Sequence, residues 1–187
     1  LAVSVAPLLI FFVASYDLAR EAIVRLASDY NTRLLENQRD YLKLQSEQMA
    51  SLANNLAGVE DIGEALVAAE ADDSYSVLVT QARIGYILSG YSGLKGLVSI
   101  DLLTPQGRHF HVGDTLDVSA LRTELGQRLY GATLDSTQSV VWHGVEDNVN
   151  AASSSRKVLV ATKLIWRVDP VRLEPEPVGI LVLNYST

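Results

Sequence analysis

The sequence predicts an α+β domain: a long N-terminal helix packed on a five-stranded antiparallel sheet. Three observations carry that expectation. Neither proline nor glycine occurs between Pro7 and Gly58, so nothing interrupts a helix there. From Gly93 onward the apolar residues stop recurring every three or four positions and gather in short branched runs, the mark of strands. Those runs are separated mainly by turns, which favours antiparallel pairing with helices to one side.

The 187 residues, 48% hydrophobic and 20% charged, suffice for one globular core. The formal net charge of -7 and the absence of any Lys/Arg cluster argue against a nucleic-acid partner. With no cysteine, a disulfide framework, a thiolate metal site and a thiol nucleophile are all excluded.

Taken in order, Leu1 to Tyr16 carries no charge before Asp17. As a helix it would reach roughly 24 Å, short of a bilayer core of roughly 30 Å, so residues 1–16 are read as the outer part of a transmembrane helix. A buried core segment or a signal-peptide remnant is the alternative, though no small-residue cleavage site follows. Residues 17–57 form a stalk helix, with Ile23, Leu26, Tyr30, Leu34, Tyr41, Leu44, Met49, Leu52 and Leu56 on one stripe. Gly58 is expected to end it in the left-handed conformation. Shorter helices are expected over Glu60–Ala71 and Ser76–Leu88, broken at Asp72-Asp73-Ser74. Gly93–Gly96 reads as a turn, Leu97–Leu103 as a strand, Thr104–Gly107 as a hairpin turn and Arg108–Val112 as its partner strand. A helix carrying Leu121, Leu125 and Leu129 should end before Gly131. Strands follow at Ser139–Val145, Lys157–Val168 and Val178–Tyr185. Glu146–Ser155, polar and small, reads as a mobile loop, and Asp169–Pro177 as a proline-rich excursion outside any strand. Residues 58–187 thus make the folded module, and 17–187 one domain.

This order resembles the Cache family of extracellular sensor domains, which are PAS-like modules preceded by a long helix. Leu97-Val-Ser-Ile-Asp-Leu-Leu-Thr-Pro-Gln-Gly107 is similar to the family's first strand and hairpin. Val140-Val-Trp-His143 stands where the family has a strand beginning near a Trp, and Val178-Gly-Ile-Leu-Val-Leu183 looks like its closing strand. Only one sheet is visible, so the resemblance is to a single-module version. It implies that a small molecule binds on the sheet face away from the stalk helix and biases a homodimer's stalk. Output would then pass to a histidine kinase, diguanylate cyclase or chemotaxis module.

The side chains offer candidates beside this resemblance. Asp101 interrupts an otherwise apolar strand, and a carboxylate there is costly to bury without partners. It lines a pocket or caps the hairpin. His109 and His111 are two apart and so share a face. They can share a metal with Asp114, or form a solvated hairpin edge; the established ligand spacings are missing and no metal site is assigned. Trp142 and His143 point to opposite faces, the Trp either packing or walling a pocket. Lys163 and Arg167 lie on one strand face, where they can meet a carboxylate-bearing metabolite or simply face solvent. Tyr86, Tyr91 and Tyr185 offer hydroxyls to the same cavity. Asn184-Tyr-Ser186 matches a glycosylation acceptor but falls in a strand, so no role is given to it. No enzyme signature occurs, neither a nucleophile elbow, a phosphate loop nor a zincin motif, and no cofactor is called for. The expectation is therefore a non-enzymatic sensor domain at the bacterial inner membrane, facing the periplasm or exterior. The alternative is an interaction or spacer module that answers to a protein partner.

Overall fold

A computed structural model describes residues 2–68, 74–117 and 119–186, with side chains throughout except at 2–14, 17 and 74–77. Helix α1 runs Ala2–Ala57, as the uninterrupted stretch predicts. The chain divides into two compact units, Leu1–Glu47 and Gln48–Thr187.

The first unit is helix α1 up to Glu47. Its described side chains stand in solvent as far as Leu44, including Ile23, Leu26, Tyr30, Leu34 and Tyr41. Among the described residues no helix is long and apolar enough to cross a membrane. The expected membrane segment, residues 1–16, lies outside the described side chains except at its last two positions.

In the second unit, the end of α1 turns Met49, Leu52, Ala53 and Leu56 inward, all at most 5% exposed. That i, i+3, i+4, i+7 spacing is a core-facing helical stripe. The helix stops at Ala57, and Gly58 follows outside the left-handed region, contrary to expectation. Two helices follow, α2 (Glu60–Ala68) and α3 (Ser74–Ser89). The expected break at Asp72-Asp73 lies outside the described residues. Strands β1 (Leu97–Leu103) and β2 (His109–Gly113) form the predicted hairpin. Gly107 closes its turn with a φ of 83°, its N–H donating to the Thr104 carbonyl at 3.0 Å.

Helix α4 spans Thr123–Leu134, two residues later than Leu121 and past Gly131. Its start is delayed because Leu121 bridges to Asn150 and the Arg122 N–H donates to the Val149 carbonyl at 2.9 Å. The same contacts overturn the mobile-loop expectation for Glu146–Ser155. Asn148, Asn150 and Ser153 are buried there, and Asp114 accepts from the hydroxyls of Ser153 and Ser154.

Strands β3 (Val141–Asp147), β4 (Lys157–Val168) and β5 (Pro175–Ser186) complete an antiparallel sheet of order β2-β1-β5-β4-β3. β5 begins three residues before the expected Val178, so Pro175, Glu176 and Pro177 belong to a strand after all. This costs little, because β1 stops opposite Ile180 and leaves that stretch with β4 as its one partner. Two prolines two apart withhold their missing N–H groups on the same side of such a strand.

The sheet has apolar layers on both faces. One holds Ile100, Leu102, Phe110, Leu181 and Leu183 against α1, α2 and α3. The other holds Val158, Val160, Ile180 and Val182 against Leu129 of α4. The expected α+β class stands, a long helix with a five-stranded antiparallel sheet, but helices cover both sides.

Candidate functional site

The α4 side of the sheet carries polar residues where aliphatic ones would pack at no electrostatic cost. β1 places Asp101 directly opposite His111 of β2, and His109 lies two residues along the same face. Asp101 is 0% exposed, as is the His111 side chain; that of His109 is 5% exposed. One carboxylate oxygen, Oδ1, accepts from His109 Nε2 at 2.7 Å and from His111 Nδ1 at 2.6 Å. The other, Oδ2, accepts from Ser99 Oγ at 2.9 Å and from Asn184 Nδ2 at 2.7 Å. The Asn184 amide also donates to Ser99 Oγ at 2.8 Å. Because a carboxylate only accepts, the orientation of that amide is fixed.

Burial alone would raise the Asp101 carboxyl, but the two imidazole hydrogen bonds and their charge outweigh it and hold it below the usual carboxylate range. Burial would lower His111; the Asp101 hydrogen bond and charge outweigh that, with smaller help from Asp114 and the Thr115 backbone, and raise it. Both shifts favour a charged Asp101–His111 pair, in a cluster whose side chains are at most 5% exposed. Two of its atoms, His111 Nε2 and Asn184 Oδ1, are buried without a well-formed hydrogen bond.

A second polar chain stands on this face. Opposite Asp101 on β5 is Val182, and opposite Val182 on β4 is Thr162, two strand spacings or roughly 10 Å from Asp101. Thr162 Oγ1 lies 2.8 Å from His143 Nε2 and 2.6 Å from Thr133 Oγ1 of α4. The Thr133 hydroxyl spends its proton on the Leu129 carbonyl at 2.6 Å. Thr162 must then donate to Thr133, and His143 Nε2–H to Thr162. Burial first, then the Arg128 charge, lowers His143 against the opposing pull of Glu146, in keeping with that neutral donor. A cleft of about 240 Å³ opens between the hairpin turn and α4, lined by Leu103, Thr104, Gln106, Leu121, Gln127 and Tyr130.

The nine residues singled out from the sequence fall in separate places. Asp101 and His111 are together, with His143 on the same face. Lys163 points the same way as Ala161 and Ile165 and so faces the α1 side; burial lowers its ammonium, which donates to the Ser139 carbonyl at 3.0 Å. Arg167 lies against Gly63 of α2. Neither cation shares the face of Asp101. Tyr91 and Tyr185 line a groove of about 490 Å³ with Gln48, Leu52, Asn55 and Lys95 on the α1 side, where burial raises the Tyr185 phenol. Trp142 sits opposite Ala161 and is 39% exposed, while Tyr86 is 83% exposed on α3. Asp114, weighed as a partner for the histidines, is taken by Ser153 and Ser154 instead. Ser99, Thr162 and Asn184 were not singled out. The available signal was the same as for Asp101, a polar residue inside an apolar strand, in Val182-Leu-Asn184 most plainly.

No family model matches the chain, and no curated protein matches it. Among solved structures it is similar to the ligand-binding domain of the Campylobacter jejuni chemoreceptor Tlp3 in complex with L-norvaline. The identity is 9% and the TM-score 0.50, covering 79% of this chain and 52% of that one. The extracellular domain of vpHK1S-Z8, described as a histidine kinase, is 16% identical over 88% of this chain and 60% of that one, with a TM-score of 0.49. The chain thus spans about half of the chemoreceptor domain, and what they share is a fold.

Proposed function

We propose that this chain is a Cache-type sensor domain of a bacterial membrane receptor, non-enzymatic, lying on the outer side of the membrane. Its small-molecule seat is the α4 side of the sheet. The observation that carries this reading is the fully buried Asp101 carboxylate with its two imidazoles. A sheet that served only as a spacer would be more stable with aliphatic residues there. The fold shared with the chemoreceptor domain supports the reading, and the norvaline bound to that protein makes amino acids the first compounds to try. A carboxylate ligand seated here would not meet Lys163 or Arg167.

Anchoring falls to residues 1–16, and relay to α1 as a paired stalk. Ile23, Ala27, Tyr30, Leu34, Tyr41 and Leu44 stand exposed at alternating four- and three-residue steps, with Asn37 at the one polar step. That is the seam a second copy of the helix packs against.

A thermal-shift screen with amino acids, organic acids and polyamines tests the sensor reading. A ligand at about 100 times its dissociation constant adds about 2.7 kcal/mol to folding stability, and its shift should vanish in Asn184→Leu. A flat screen would count against the reading. It would favour the second one, a module that docks a protein partner. That alternative rests on the end of β4 and the turn to β5, where Trp166, Val168, Val171 and Leu173 are all more than half exposed.

A further inference from the structure

We propose that Asp101, His109 and His111 form a binding site for a divalent transition-metal ion of the Zn2+, Co2+ or Ni2+ type. The three donor atoms converge, all within 4.8 Å of one another. Asp101 Oδ1 lies at their centre, 2.7 Å from His109 Nε2 and 2.6 Å from His111 Nδ1. Two imidazoles and a carboxylate suit zinc and its neighbours, whereas magnesium and calcium favour oxygen donors alone.

The surroundings fit such an ion. Ligating carboxylates are ordinarily held by outer hydrogen bonds, and here Ser99 and Asn184 hold Oδ2 at 2.9 and 2.7 Å, which turns Oδ1 toward the two rings. The ligand side chains are at most 5% exposed, so the ion would enter only as the cluster opens. Coordination would break the two imidazole–carboxylate hydrogen bonds, release to solvent the proton displaced from each ligating ring nitrogen, and form three metal–ligand bonds. With bonds of about 2.0–2.1 Å in tetrahedral geometry, Asp101 Oδ1 must move out to roughly 3.3 Å from each ring nitrogen. β2 can supply that movement, because it is an edge strand hydrogen-bonded to β1 alone. Three protein ligands leave a fourth tetrahedral position for a water or a ligand group.

The ion names a ligand for the same sheet face, and its role as a signal rests on the sensor reading; the site itself does not. The test is a Co2+ titration of the untagged full chain, read by visible absorption and by competition with Zn2+. Expected are one equivalent bound, a tetrahedral Co2+ spectrum that Zn2+ bleaches, loss of binding in His109→Ala and in His111→Ala, and binding weakened about 10–100-fold in Asn184→Ala. Far-ultraviolet circular dichroism of each variant separates loss of site from loss of fold. No Co2+ spectrum from the folded wild-type chain would overturn the proposal. So would binding that survives both histidine variants, or that disappears in His143→Ala alone. An organic ligand found without any metal binding would sink the metal site and keep the sensor reading. Metal binding with a flat organic screen would support the metal site.

Discussion

Asp101 accepts four hydrogen bonds while wholly buried, so removing it leaves two imidazoles, an amide and a hydroxyl without their acceptor. Asp101→Ala should cost roughly 3–5 kcal/mol in urea unfolding; a cost below about 1 kcal/mol would mean that the cluster is not formed. The same pair sets a pH window for the metal-free protein, measured with chelator present. His111 is raised above its ordinary 6.5, so its contribution is complete below that value and is lost as pH climbs through the raised one. Asp101 is lowered below 3.8, so its contribution is complete above that value and is lost as pH falls through the lowered one. Stability from the cluster should thus be level between about 3.8 and 6.5 and decline on both sides. The alkaline decline should flatten in His111→Gln, Asp101, His109 and Asp114 being the groups that face this ring; an unchanged decline would refute its source. Asp101 was legible in the sequence because it breaks an apolar strand. Asn184 carries the same signal, but its partnership with Asp101 was not legible, since only the register that sets it beside Ser99 brings it to the carboxylate, and one strand says nothing of its neighbour's register.

Elements were legible where local signals govern them. The long helix follows from the absence of breakers, and the β1–β2 hairpin from Thr104–Gly107. Boundaries moved where tertiary hydrogen bonds intervened, as when Asn150 and Val149 claim the residues before α4. The prolines of β5 were misread because their cost depends on whether a second strand lies alongside, which spacing does not reveal. Two glycines show how packing separates like from like. A Cβ on Gly179 would meet the Leu103 carbonyl at 2.9 Å and Leu66 Cδ1 at 3.0 Å, pressing β5 between β1 and α2. Gly179→Ala should destabilise by roughly 1–3 kcal/mol. Within α4, a Cβ on Gly131 meets nothing within 4 Å, so Gly131→Ala should stabilise by about 0.5–1 kcal/mol. Denaturation midpoints moving the same way in both variants would contradict this packing.

At the scale of the whole molecule, the α+β class was legible and the strand order was not, because order depends on pairings distant in sequence. The expectation of a ligand face away from the stalk led to Lys163 and Arg167 as well as Asp101, yet alternation along β4 puts both cations on the other side. Among the described residues the buried core begins at Met49, so a fragment from Gln48 should unfold at the same midpoint as the full chain, and a lower one would show that the first unit contributes to the core. If α1 pairs two copies, Leu34→Glu with Tyr41→Glu should shift sedimentation toward monomer and leave that midpoint unchanged. The central claim is that the α4 side of the sheet is the ligand seat, and the three histidines make it directly observable. The deciding measurement is the NMR spectrum of the histidine ring nitrogens and the tyrosine rings of the full chain against pools of amino acids, organic acids, polyamines and divalent metals. The account predicts that at least one pool moves the ring signals of His109 and His111. All three imidazoles unmoved in every pool, while signals of Tyr91 or Tyr185 shift, would place the seat on the opposite face and contradict it.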